Sequence, residues 1–133
     1  FLLAGIRANP RIPRLYSFLG GIYLAKQDIP KAKEFYTKAL ILDPSEFSAN
    51  YMLGILLHQT GQREEARIYL ERIARISPRL KWDFYPVAHA WEMLGDKPKA
   101  LFYYRKALDT YPDSVEIKQK IAALEKTIPQ SQR

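Results

Sequence analysis

The chain has 133 residues and no cysteine, which excludes disulfides, thiolate metal sites and cysteine nucleophiles. A hydrophobic content of 47% and an aromatic content of 13% indicate a folded chain and exclude general disorder. Lysine and arginine outnumber aspartate and glutamate by 21 to 14, a net charge of +7, but basic and acidic residues are interleaved, which favours a mixed solvated surface over a dedicated binding patch.

The sequence repeats with a period of 34 residues. Pro44, Pro78 and Pro112 follow one another at this step, and Pro10 lies one step before them. Positions that are 34 residues apart keep the same size class, either small or large and apolar. The matched sets are Gly20, Gly54 and Ala88; Ala32, Ala66 and Ala100; Leu19, Leu53 and Val87; Tyr23, Leu57 and Trp91; and Tyr36, Leu70 and Tyr104. Chance does not preserve size class over so many positions, so the pattern indicates a repeat protein.

Residues 1–12 match the end of a repeat, because Pro10 lies one period before Pro44. We therefore expect them to form the second helix of a truncated preceding repeat, with at least one further helix upstream of Phe1. The apolar opening of the chain is far shorter than the roughly 20 residues that a membrane span needs.

The first complete unit spans residues 13–46. Asp28 is predicted to supply the N-cap oxygen of its second helix, with Pro30 in the first turn, where a missing N–H costs little. Ser45 is predicted to cap the helix that follows Pro44. The apolar face of the first helix comprises Tyr16, Leu19, Gly20 and Tyr23, and that of the second comprises Ala32, Phe35, Tyr36, Ala39 and Leu40.

Residues 47–80 and 81–114 form the second and third units, and a glycine marks the turn between the two helices of each. Pro86 falls inside the first helix of the third unit. Because proline is tolerated only in an opening turn, that helix is expected to begin near Phe84 or Tyr85.

Residues 115–128 are predicted to form a closing helix, and residues 129–133 a polar tail. Glu116 follows Asp113 by three residues, which is a capping-box signature. The apolar residues of this helix form one stripe, made of Ile117, Ile121, Leu124 and Ile128. A helix that is apolar on one side only is typical of the closed end of a stack of repeats.

These motifs resemble the tetratricopeptide repeat, whose signature is W-x2-L-G-x2-Y, then A-x3-F, then A, then P at a 34-residue period. The first unit reads Tyr16-x2-Leu19-Gly20-x2-Tyr23, Ala32-x3-Tyr36, Ala39, Pro44. The second reads Asn50-x2-Leu53-Gly54-x2-Leu57, Ala66-x3-Leu70, Ile73, Pro78. The third reads Phe84-x2-Val87-Ala88-x2-Trp91, Ala100-x3-Tyr104, Ala107, Pro112. The departures keep the size class, except that Asn50 stands in the first aromatic slot.

The resemblance implies an all-α fold: a right-handed α-solenoid of antiparallel helix pairs, with about three units, a partial N-terminal unit and a C-terminal capping helix. It also implies that the first helices line a concave groove that binds a partner. The groove slots are Arg14, Ser17, Gly21, Leu24 and Ala25; Ser48, Tyr51, Ile55, His58 and Gln59; and Trp82, Tyr85, His89, Glu92 and Met93.

Several of these groove residues are large and apolar. A solvated groove does not need Tyr51, Ile55, Trp82, Tyr85 and Met93 together, and contiguous exposed apolar surface marks a contact site. The alternative is that these side chains bury one another. The favoured hypothesis is a non-enzymatic scaffold module that binds a peptide, helix or subunit within a multiprotein assembly.

One ligand of the family is tested residue by residue. Chaperone-binding members grip a terminal carboxylate with lysine, asparagine and arginine on successive first helices. The matching slots here hold Ser17, Gly21, Met52, Trp82 and Pro86, none of which fits. A heat-shock chaperone tail is therefore not an expected ligand.

No catalytic or cofactor motif is present. The sequence lacks a glycine-rich phosphate loop, a nucleophile elbow and an H-E-x-x-H motif. His58, His89 and Glu92 fall on the groove side, but neighbouring helices about 10 Å apart make a shared zinc site marginal. Ordinary hydrogen bonding by these three side chains is the preferred interpretation, with no metal and no cofactor.

Two further hypotheses are left open. One is a binder of nucleic acid or of an anionic membrane surface, which would use Arg63, Arg67, Arg72, Arg75, Arg79 and Lys81. The other is that these repeats belong to a larger enzyme or membrane-assembly protein.

Overall fold

The computed structural model describes residues 2–75 and 83–133. The helices in these ranges are α1 (Leu2–Ala8), α2 (Pro13–Ala25), α3 (Ile29–Leu42), α4 (Phe47–Gln59), α5 (Arg63–Ala74), α6 (Phe84–Leu94), α7 (Lys97–Thr110) and α8 (Val115–Thr127). A short 3₁₀ turn follows at Gln130–Gln132. The described residues contain no strand, so the predicted all-α class is confirmed. The chain divides into two compact units, Phe1–Tyr69 and Leu70–Arg133.

In the first unit, α2 and α3 form a helical pair joined by a tight turn. Asp28 caps α3 by accepting a hydrogen bond from the Lys31 N–H at 3.2 Å, and Pro30 stands in the first turn, as predicted. The next helix, α4, packs against α3 and touches α2, while α1 packs against α2. The buried apolar residues of these helices are Leu19, Ala32, Tyr36, Ala39, Leu40, Ala49, Leu53, Leu56 and Leu57.

The start of α4 differs from the prediction. Glu46, and not Ser45, is the capping residue, because its carboxylate accepts the Ala49 N–H at 2.7 Å. The Ser45 hydroxyl instead donates to the Asp43 carboxylate at 2.7 Å. This bond, together with one from the Ser45 N–H, lowers the pKa of Asp43. The longer glutamate side chain reaches the helix N-terminus that serine was expected to cap.

Asn50 explains the one polar departure from the repeat pattern. It is 1% exposed, and its side-chain amide donates to the carbonyl oxygens of Pro44 and Glu46, each at 2.9 Å. Both carbonyls belong to the segment that connects α3 to α4. Asn50 therefore binds the connection to the first turn of α4, and its buried amide is satisfied as a buried polar group must be.

Gly20 is a point of close approach between α2 and α3. A Cβ atom built on Gly20 would lie 2.8 to 3.0 Å from three atoms of the Tyr36 ring, which is closer than carbon atoms pack in protein interiors. Tyr36 is only 2% exposed, so its ring has little room to move away. At Gly21 the nearest neighbour, the Tyr36 hydroxyl, is at 3.8 Å. The helix pair thus requires glycine at the first of these two positions only.

A polar contact inside the first unit joins α2 to the start of α4. The Ser17 hydroxyl donates to the Glu46 carboxylate at 2.5 Å. The same carboxylate acts on Tyr36: burial, and secondly the negative charge of Glu46, raises the pKa of the Tyr36 hydroxyl above its ordinary value. The fold therefore favours the neutral form of this tyrosine.

In the second unit, α6 pairs with α7, and α8 packs against α7. As expected from Pro86, α6 begins at Phe84. Asp96 caps α7 by accepting the Lys99 N–H at 3.1 Å. The core of this unit consists of Ala88, Ala100, Leu101, Tyr104, Ala107, Ile117, Leu124 and Ile128, with Ile121 packed against it. The predicted apolar stripe of α8 is therefore confirmed.

The start of α8 also differs from the prediction. Ser114 caps this helix by accepting the Ile117 N–H at 3.2 Å, whereas Asp113 was expected in that role. Glu116 makes no capping-box contact, because its carboxylate accepts a hydrogen bond from the Tyr85 hydroxyl instead.

One turn position recurs at the 34-residue period. Gln27, Gly61 and Gly95 are separated by the repeat period, and their φ angles are 61°, 84° and 90°. Glycine adopts this left-handed conformation without steric cost, whereas a residue with a Cβ atom is strained in it. Gln27 therefore occupies a position at which the fold favours glycine.

Gly20→Ala is expected to lower the free energy of unfolding by about 1–3 kcal/mol, because the new methyl group overlaps the buried Tyr36 ring. Gly21→Ala is the matched control, since it adds the same methyl group one residue later, at ordinary contact distance. There the higher helix propensity of alanine should raise stability by up to about 1 kcal/mol. Urea unfolding followed by circular dichroism measures both variants, and equal effects would contradict the close approach.

Gln27→Gly is expected to raise the free energy of unfolding by about 0.5–1 kcal/mol, because it relieves the left-handed strain. The control is Lys26→Gly at the preceding position, where φ is −81°. There glycine adds chain entropy to the unfolded state and removes the Lys26 ammonium, which lies 5.8 Å from the centre of the Tyr23 ring. That control should lower stability. Thermal unfolding measures both, and a loss of stability in Gln27→Gly would show that the turn carries no strain.

The pKa shift of Tyr36 predicts a loss of stability at alkaline pH. Its contribution is fully present below about pH 10, the ordinary pKa of tyrosine in an unfolded chain, and is lost as the pH rises through the higher pKa of the folded state. The sign follows because the unfolded chain releases this proton first. Tyr36→Phe removes the titration, so its free energy of unfolding should fall less between about pH 9.5 and pH 11.5. Parallel pH curves for the two proteins would overturn the assignment.

Candidate partner-binding face

The clearest part of the predicted groove in the first unit lies on α4. Tyr51, Ile55 and His58 are spaced i, i+4 and i+7, so they follow one face of the helix, and each is half-buried. We call these three residues the α4 strip. Gln59, at the last turn of the helix, is exposed. The α4 strip therefore offers part of an aromatic ring, an aliphatic side chain and an imidazole to solvent.

The predicted residues on α2 are less uniform. Arg14 is exposed, and its guanidinium carbon lies 5.4 Å from the centre of the Phe18 ring. Leu24 is half-buried near the end of the helix. The smaller slot residues differ as well: Gly21 is half-buried, whereas Ala25 and, on α4, Ser48 are exposed.

Ser17 does not behave as a groove residue. It is 5% exposed, and its hydroxyl is already donated to the Glu46 carboxylate. In contrast to the prediction, it is not available to a partner in this arrangement. A serine that faces a neighbouring helix start has no distinguishing signal in the sequence, which is why its role was missed.

In the second unit, the predicted groove residues lie on α6. Tyr85, His89, Glu92 and Met93 are all half-buried. The Tyr85 ring lies 6.0 Å from the His89 ring at a tilt of 50°. Trp82, the remaining predicted residue, falls outside the described residues.

The C-terminal helix meets this face of α6. Tyr85 donates to Glu116 at 2.6 Å, and Lys120 forms an ion pair with Glu92 at 2.8 Å. Glu116 and Lys120 are four residues apart, so they share one face of α8. The sequence predicted a capping-box role for Glu116 and no contact between either residue and α6, although their i, i+4 spacing was a signal that they share a face.

The described residues contain no group of three histidine, aspartate or glutamate side chains suited to hold a metal ion. Glu92, which the sequence analysis considered as a zinc ligand together with His58 and His89, forms an ion pair with Lys120 at 2.8 Å. The charged residues of α5 are exposed: Arg63, Arg67, Arg72 and, just after the helix, Arg75. Arg75 pairs with Glu71 at 3.8 Å, and Arg79 and Lys81 fall outside the described residues.

No helix in the described parts of the chain has the length and apolar character to span a membrane.

Comparison with known proteins supports the fold. A model of the tetratricopeptide repeat matches residues 8–80, and a second model of the same repeat matches residues 88–114. The crystal structure of YrrB, a TPR protein with an unusual peptide-binding site, superposes with a TM-score of 0.72 at 22% identity. That match covers 92% of this chain and 63% of YrrB. At this identity the likeness shows a shared fold.

Two curated relatives are named as members of complexes. Anaphase-promoting complex subunit 3 of Schizosaccharomyces pombe is 26% identical over 77% of this chain, and BBSome complex member BBS4 of Bos taurus is 27% identical over 92%. This chain spans only 15% and 20% of their respective lengths. Because a repeat model matches more than half of the chain and the helices follow the repeat boundaries of that pattern, the chain belongs to the tetratricopeptide repeat family, an all-α helical-repeat solenoid.

Proposed function

We propose that this chain is a non-enzymatic protein–protein interaction module. It holds a peptide, helix or subunit of a partner against the first helix of successive repeats. The α4 strip is the observation that carries the proposal. Tyr51, Ile55 and His58 follow one helix face, yet none of them is fully buried in the first unit. The neighbouring large residues of the same helix, Leu53 and Leu57, are buried almost completely.

The physical reason is the cost of leaving such a face in water. Each square ångström of apolar surface removed from water contributes about 25 cal/mol, so covering the exposed part of Tyr51 and Ile55 is a source of binding energy. Tyrosine is among the residues most enriched in interface hot spots. The α2 helix, which touches α4, adds the half-buried Leu24 to the same unit.

The relatives agree with this class of function. YrrB is a TPR protein with a peptide-binding site, and the two curated relatives are members of named complexes. Assembly with partners is therefore the role that we propose for this chain, in a multiprotein setting.

A heat-shock chaperone tail is not the ligand that we propose. The first slot of the carboxylate clamp holds Ser17, which is buried and bonded to Glu46. A second slot holds Gly21, which offers no side chain. Neither position supplies the lysine or asparagine that grips a carboxylate in the clamp.

On α6, fewer of the predicted groove residues are available to a partner than on α4. Tyr85 and Glu92 already contact α8, whereas His89 and Met93 are half-buried on the same helix. A partner that contacts α6 would meet the last two residues together with the polar face of α8.

The test uses a photo-crosslinking residue at Ile55 to identify the partner, followed by affinity measurements with the purified partner. The double variant Tyr51→Ala, Ile55→Ala should raise the dissociation constant for the partner tenfold or more, because each substitution removes a large apolar contact. Ile41→Ala is the matched control: it removes an isoleucine that is 75% exposed on α3, and should change affinity by less than about twofold.

Two results would contradict the proposal. One is unchanged affinity of the double variant while circular dichroism shows an intact fold. The other is binding of RNA or of anionic vesicles with a steep dependence on salt concentration, which would favour the basic-surface hypothesis instead.

A further inference from the structure

A cleft opens in the second unit at the start of α6 and α8. Its volume is about 350 Å³, within the range of pockets that bind small ligands. It lies beside the turn that connects α7 to α8. The lining residues are Tyr85, Pro86, Tyr111, Ser114, Glu116 and Ile117. Two tyrosines, a proline and a glutamate are thus among the described residues that border one cleft.

The cleft is held in shape before any ligand arrives. The Tyr85 hydroxyl donates to Glu116 Oε1 at 2.6 Å, which ties α6 to the first turn of α8. The Tyr85 ring also packs edge-on against the buried Tyr104 ring, with the ring centres 5.7 Å apart. A ligand that enters therefore does not need to order these groups, which lowers the cost of binding.

The second tyrosine of the cleft is fixed by its turn. The Ser114 N–H donates to the Tyr111 carbonyl at 3.1 Å, and Ser114 itself caps α8. Tyr111 is 46% exposed. The turn therefore fixes the backbone of Tyr111, and the residue is accessible to a ligand.

Among the described residues that line the cleft, Glu116 is the charged one. An ionised carboxylate offers about four acceptor sites, of which the Tyr85 hydroxyl uses one. Among residues 2–75 and 83–133, no lysine or arginine is placed within ion-pair distance of this carboxylate. Glu116 thus brings to the cleft a carboxylate that none of these cations neutralises at ion-pair distance, although the chain as a whole carries +7.

Aromatic faces beside a carboxylate suit a cation. The faces of tyrosine rings attract ammonium and guanidinium groups, and a carboxylate pairs with guanidinium through two parallel hydrogen bonds. Arginine fits better than lysine, because its planar group stacks on a ring while its edge meets the carboxylate, and because it is less strongly hydrated. An anion would meet the Glu116 charge and is disfavoured.

We propose that this cleft binds an arginine side chain of the partner protein, with the guanidinium between Tyr85 and Tyr111 and paired to Glu116. The inference rests on the proposed function in one respect, that the partner is a protein, and it adds the chemistry of one partner residue. The site differs from the α4 strip, which supplies none of its lining residues.

The test titrates the whole chain with the blocked tripeptide acetyl-Gly-Arg-Gly-amide and follows amide resonances by NMR. The neutral isostere, with citrulline in place of arginine, is the matched probe. We expect shifts centred on Tyr111, Ser114 and Glu116 with millimolar affinity, and at least fivefold weaker binding of the citrulline peptide. The lysine peptide should bind more weakly than the arginine peptide.

Two variants locate the effect. Glu116→Gln removes the charge but keeps an oxygen that can accept from Tyr85, so the fold should survive while arginine binding weakens at least fivefold. Glu125→Gln is the matched control on the same helix, nine residues away, where the carboxylate pairs with Arg105 at 3.0 Å. It should leave the arginine titration unchanged.

The outcomes separate the cleft from the α4 strip. Tyr51→Ala should not change the titration with the arginine peptide, so failure of partner binding in that variant would not affect this result. Equal binding of the arginine and citrulline peptides would overturn the proposal, because the carboxylate would then play no part. Shifts confined to other regions, or none at millimolar peptide, would also overturn it.

Discussion

The first unit depends on how closely α2 and α3 approach each other. Gly20 brings the backbone of α2 against the ring of Tyr36, at a distance that leaves no room for a methyl group. A helix pair in van der Waals contact buries the apolar residues on both facing sides and leaves little space for water. The same pairing of a small residue with a large one recurs in the second unit, where Ala88 and Tyr104 share a core. Size complementarity at this contact is what the repeat period preserves.

That close contact decides which side chains are left for function. Residues at the contact are buried, whereas residues on another face of the first helix of a repeat are only half-buried. On α4 these positions hold Tyr51 and Ile55, and on α6 they hold Tyr85 and Met93. A helical repeat therefore separates its residues, by their angle around the helix, into those that hold the fold and those that keep part of their surface in solvent.

The C-terminal helix has two roles in the second unit. Its apolar stripe closes the core, through Ile117, Leu124 and Ile128. Its polar face meets α6, where Glu116 and Lys120 bind Tyr85 and Glu92. The contact between Glu116 and Tyr85 helps to form the cleft at the N-terminal end of α8. A helix that closes a core can thus also help to form a charged recognition site, because its two faces are chemically distinct.

Most of the architecture follows from the sequence alone. A sequence displays local chemistry and the spacing of residues along the chain directly. These determine the repeat period, the helix pairs, the cap of α3 at Asp28 and the start of α6 close to Pro86. Contacts between helices were decided only by the tertiary structure: Ser17 is buried against Glu46, and Tyr85 meets Glu116. These pairs are 29 and 31 residues apart, and no local rule couples them. The left-handed turn at Gln27 belongs with them, since its conformation is imposed by the helices that it joins and not by glutamine.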